Sequence, residues 1–160
     1  MTFKEFLVFF PEVSPPFTIT DESISNFKEV NDYLPEVGVQ EHIHIWETEE
    51  VDEFTEYFPC LRLPSTDKYH ALIYWKASIL KYEYFLATLD LKGSLISKKV
   101  ICGMVVENNV INTSAARIDE DRIIHIMIGS IQGNDTFDSS NTKAYNMEIM
   151  PDGNILFYLE

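Results

Sequence analysis

From Tyr69 to Met104 the sequence runs YHALIYWKASILKYEYFLATLDLKGSLISKKVICGM, its densest apolar stretch, broken by the turn signal Asp90-Leu91-Lys92-Gly93. β-branched and aromatic residues suit a pleated, half-buried surface, and a Gly-containing connection joins antiparallel neighbours. Three antiparallel strands are predicted here, at 69–76, 81–90 and 94–104. The same cadence continues to the C-terminus. Asn108-Asn109 divides 99–106 from 110–118, Asp119-Glu120-Asp121 leads into an apolar run at 122–128, and Pro151-Asp152-Gly153-Asn154 separates 143–150 from 155–159. Parallel pairing needs crossovers of a dozen or more residues, and none lies between these segments. The expectation is an antiparallel meander of about seven to nine strands, as one large twisted sheet or a partly closed barrel. Ile123–Ile128 is apolar at nearly every position and reads as a central strand covered on both faces, whereas Tyr145, Met147 and Ile149 alternate with polar neighbours as in a one-sided strand.

A sheet with a bare apolar face must bury it, and the N-terminal segment supplies the cover. Phe3, Phe6, Leu7 and Phe10 lie at helical spacing behind a Thr2/Glu5 capping box, predicting a helix at 3–10 that ends at Pro11. Pro15 and Pro16 hold the next residues extended. Ile24, Phe27, Val30 and Tyr33/Leu34 predict a second helix at 21–33. Both are expected on one sheet face. The fold class is therefore α+β, with 1–160 as one domain: helical cover at 1–35, an acidic irregular segment at 36–68 and the meander at 69–160. Within the middle segment, Ile43–Trp46 reads as strand-like. Val51, Phe54 and Tyr57/Phe58 have the spacing of a short helix, followed by an extended piece at 58–63.

Charge narrows the function classes. The chain carries 12 Lys/Arg against 26 Asp/Glu, a net charge of −14, with 15 of the acidic and only 4 of the basic residues in 1–68. Such a field repels phosphate backbones and anionic lipid, so neither nucleic acid nor membrane is an expected partner. A basic protein is. Five carboxylates (Glu47, Glu49, Glu50, Asp52, Glu53) fall within seven residues and read, with Glu56, as an exposed binding segment. Tyr74, Tyr82 and Tyr84 are candidates for an amphipathic interface surface. No run approaches a membrane span, and the opening MTFKEFLVFFPEV lacks the features of a secretory signal, so a cytoplasmic chain is expected. Cys60 and Cys102 are expected as free buried thiols.

Catalytic and metal signals are weak. His42 and His44 would share a face if 43–46 were a strand and could approach one metal ion, but no third ligand is fixed by the alternation. His70 and His125 lie in apolar strands and read as core or edge residues. Cys102 and His125 would meet only if their strands were neighbours. Gly133–Asn141 is rich in oxygen-bearing side chains but departs from the EF-hand pattern. No nucleophile elbow, phosphate loop, dinucleotide fingerprint or zinc cysteine pair is present. No cofactor is expected. The sequence favours a non-enzymatic interaction protein, and its size and charge suit a bacterial immunity-type protein binding a basic partner. The alternatives are a small-molecule carrier with an apolar pocket inside a curled sheet, or a hydrolase built from dispersed His, Asp and Glu residues.

Overall fold

The computed structural model describes residues 1–132 and 142–158. Eight strands form an antiparallel meander: β2 (Glu56–Arg62), β3 (His70–Ser78), β4 (Lys81–Leu89), β5 (Leu95–Glu107), β6 (Val110–Ile118), β7 (Ile123–Gln132), β8 (Lys143–Ile149) and β9 (Ile155–Tyr158). A short β1 (Phe17–Ile19) pairs with β6, and the sheet is open, with no pairing between β2 and β9 among the described residues. The predicted fold class holds.

β5 carries the bend that lets this sheet fold back on itself. Ile101 is skipped in the β4–β5 register between Val100 and Cys102, a bulge that turns the strand. At Gly103, where φ is 145°, any Cβ would lie 2.1 Å from the Tyr82 carbonyl oxygen, so only glycine fits against β4. Beyond this point β5 and β6 part: β5 pairs only with Val110–Ser114, and β1 takes Ala116–Ile118. The inner faces of the two halves then meet. Phe58, Ile73, Trp75, Tyr84, Leu86 and Ile101 share one core with Ile118, Ile124, Ile126, Met147, Ile149 and Ile155. Side chains from both halves thus pack into a single inner core. Thr88 fastens the fold on β4, its buried hydroxyl donating to the Gly153 carbonyl (2.6 Å) in the β8–β9 turn.

A second core lies on the outer face of β2–β4. Alternation along β3 and β4 sends Leu72, Tyr74, Ala87 and Leu89 to this side, against Phe6, Phe10, Leu34, Ile43 and Trp46. Helix α1 (Phe3–Val8) has its reciprocal cap: Glu5 N–H donates to Thr2 Oγ1 (3.1 Å) and Thr2 N–H to Glu5 Oε2 (3.0 Å). The two N-terminal helices do not cover the same face. α2 (Ser23–Val30) packs Ile24 and Phe27 against the inner core, because β1 has carried the chain across to β6.

The outer cover is completed by a segment whose sequence reads as strand-like. Residues 36–46 are helical throughout: α3 (Glu36–Gly38), a π-helical turn (Val39–Ile43) and a 3₁₀ turn (His44–Trp46). Val39, Ile43 and Trp46 recur at helical spacing and reach the outer core, while Ile45, which strand alternation pairs with Ile43, is exposed. Two further expectations are corrected. Residues 51–55 form a loop, with β2 beginning at Glu56. β7 is covered on one face only, burying Ile124 and Ile126 but leaving Met127 57% exposed. No helix among the described residues is long and apolar enough to cross a membrane.

Candidate partner-binding surface

The acidic segment divides into an anchor and an exposed rim. Glu47 follows the buried Trp46, and its side chain is only 6% exposed. Its carboxylate lies 2.5 Å from Lys76 Nζ on β3 and 3.4 Å from Lys98 Nζ on β5, and Lys98 also donates to the Trp46 carbonyl (3.0 Å). Both ammonium groups sit over the Phe85 ring. Two cations from flanking strands meet one desolvated carboxylate, an arrangement that holds only with close, charge-assisted geometry. Glu47 is therefore corrected from a partner-facing residue to the buried tether of the loop.

Glu49, Glu50, Asp52 and Glu53 are exposed. Asp52 Oδ1 accepts from Phe54 N–H and Thr55 Oγ1, both at 2.9 Å, in a turn that leaves Phe54 76% exposed. Glu56 starts β2 and pairs with Lys28 at 2.9 Å. A groove of about 280 Å³ separates this loop from the β3–β4 hairpin, with Glu49, Glu50 and Asp52 on one side and Ser78, Ile79 and Lys81 on the other. The hairpin tip is Ile79-Leu80, 76% and 53% exposed, and Leu80 takes the left-handed conformation (φ 62°). Tyr57 also lines the groove. It is 6% exposed, and its hydroxyl has no hydrogen-bond partner among the described residues. Burial, then the charges of Glu47 and Asp52, push that hydroxyl's pKa well up.

The three candidate tyrosines do not form one surface. Tyr74 is buried in the outer core and Tyr84 in the inner core, on opposite faces of the sheet, and only Tyr82 is exposed, stacked on Trp75. Tyr82 and Tyr84 alternate onto one side of β4, but the β3–β4 register places Tyr84 opposite Trp75 and Tyr74 opposite Phe85, on the other side.

His42 and His44, being helical, do not point together. His42 stacks on Phe6 (4.6 Å) with Nε2 3.0 Å from the Met1 carbonyl, and His44 meets Tyr57 edge-on. Cys102 and His125 are separated by β6, the thiol inside and the imidazole on the outer face bonded to Asp119 (2.9 Å) and Asn146 (3.2 Å). His70 Nδ1 lies 2.6 Å from Ser65 Oγ, but Asp90 is occupied with the backbone N–H groups of Lys92 and Ser94 rather than orienting that imidazole. The Gly133–Asn141 loop lies outside the described residues. Among the described residues no three His, Cys, Asp or Glu side chains converge as a metal-binding group.

Sequence reasoning missed the pairing of Lys76 and Lys98 with Glu47, which requires the sheet register. It also missed the hairpin tip, although Ile79-Leu80 between Ser78 and Lys81 is an apolar pair where a tight turn ordinarily has Gly or Asn. No protein-family model matches this chain, and no curated protein or solved structure matches it.

Proposed function

We propose that this is a non-enzymatic interaction protein that binds a basic protein partner through the loop 49–53. One observation carries the proposal: Glu49, Glu50, Asp52 and Glu53 project from a loop whose base is tied down by the buried Glu47. A fixed base spares the partner part of the entropy of ordering the loop, and a dense negative rim steers cationic surfaces to it. The relation of an immunity protein to a cationic toxin is of this kind. The buried core shared by both halves of the sheet supports this reading over a carrier.

The test compares the parent chain with a Glu49→Gln, Glu50→Gln, Asp52→Asn, Glu53→Gln variant. The side chains remain hydrogen-bonding, and the Asp52→Asn change keeps the Oδ1 acceptor that holds the turn. Binding of a fluorescent oligolysine peptide, followed by anisotropy over a salt series, is expected to weaken in the variant and to lose much of its salt dependence. Equal affinity and equal salt slope for the two proteins would overturn the proposal.

A further inference from the structure

We infer that the groove between the acidic loop and the β3–β4 hairpin takes an apolar side chain flanked by lysine or arginine, presented by a segment of the basic partner. The inference rests on the function proposed above and narrows it from a charged surface to a specific seat.

Three features converge there. The hairpin tip gives up local stability to expose Ile79, which lines the groove, and Leu80 beside it: a leucine at φ 62° is strained relative to glycine, and neither side chain is repaid by burial within the chain. Tyr57 lines the groove with a hydroxyl that is sequestered and unpaired, in the negative field of Glu47 and Asp52. That negative field favours an ammonium or guanidinium group in the groove. The rim is acidic in balance as well as in count. Among the lining residues Glu49, Glu50 and Asp52 outnumber Lys76 and Lys81, and the buried Glu47 is shared by Lys76 and Lys98. At about 280 Å³ the groove lies just below the range of small-molecule sites and suits one or two side chains of a protein segment.

The experiment uses two acetylated, amidated heptapeptides of identical charge, one alternating lysine with leucine and one alternating lysine with serine. With the parent protein, the leucine peptide is expected to bind about tenfold more tightly, the gain from seating one aliphatic side chain. Ile79→Ser, at an exposed tip, should remove most of that advantage while leaving the serine peptide's affinity unchanged. Equal affinity of the two peptides for the parent protein would overturn the inference and leave the charge-based function standing. Indifference of both to neutralisation of the four rim carboxylates would overturn that function itself. Sedimentation without peptide covers the remaining occupant: a dimer abolished by Ile79→Ser would assign the groove to a second copy of the chain and overturn the inference.

Discussion

The carboxylate of Glu47 and the ammonium of Lys76 lie 2.5 Å apart beneath the acidic loop, tying the end of the 36–46 helical stretch to the C-terminal part of β3. Lys98 closes the group from β5. Glu47→Gln would leave two lysines, each about a fifth exposed, facing a neutral amide. Breaking a fully buried pair costs about 3–5 kcal/mol, and the residual exposure of the lysines reduces this to about 2–3 kcal/mol. The expected fall in melting temperature is about 5–10 °C, read by circular dichroism. Glu49→Gln, two residues away and exposed, should change stability by no more than about 0.5 kcal/mol. Equal effects at the two positions would refute the division into anchor and rim.

Thr88 makes a comparable prediction for the fold as a whole. Its hydroxyl reaches both the Gly153 carbonyl (2.6 Å) and, more weakly, that of Ser97 (3.4 Å), joining the β8–β9 turn to β4. Thr88→Val keeps the shape and removes the donor, leaving a buried carbonyl unpaired at a cost of about 1–3 kcal/mol. Thr88→Ser, which keeps the donor, should recover part of that loss. Urea midpoints of the three proteins check the order parent, Ser, Val.

How much of this was legible in the sequence follows from how local each signal is. The β8–β9 turn at Pro151–Asn154 and the Thr2/Glu5 cap are set within a few residues, and both appear where expected. The 36–46 stretch misleads because Ile43 and Ile45 mimic strand alternation; the longer Val39, Ile43, Trp46 spacing is the correct signal. The helical period of Val51, Phe54 and Tyr57 misleads in the opposite sense, since a turn around Asp52 leaves Phe54 outside. Nonlocal facts were not accessible. Tyr74 and Tyr84 part company only through the β3–β4 register, and Glu47 differs from Glu49 only because Lys76 and Lys98 come to it from strands far along the chain.

The two cysteines should behave as inert core residues. Cys60 and Cys102 are both free and buried in the inner core. Burial pushes the Cys60 thiol well up and the Cys102 thiol up to about 12, so neither supplies thiolate at neutral pH. A disulfide-exchange reagent is expected to titrate neither thiol in the native protein and both after denaturation in guanidinium. Rapid reaction of either thiol under native conditions would show that the inner core opens.

Acid should weaken one identifiable corner of the sheet. Partial burial raises the pKa of Asp119, but hydrogen bonds from His125 and from the N–H groups of Ile123 and Asp121 outweigh it and hold the carboxyl below its ordinary value. A depressed folded-state pKa means that the unfolded chain binds the proton first. The stabilisation is therefore fully present above the ordinary aspartate value of about 3.9 and is lost as pH falls through the lower folded-state value. Asp119→Asn keeps an acceptor for the backbone N–H groups and removes the charge. The stability gap between parent and variant should close as pH falls below about 5 and the parent's carboxyl takes up its proton. Denaturant midpoints across this range measure the gap, and one that stayed constant into strong acid would show that charge at Asp119 contributes nothing.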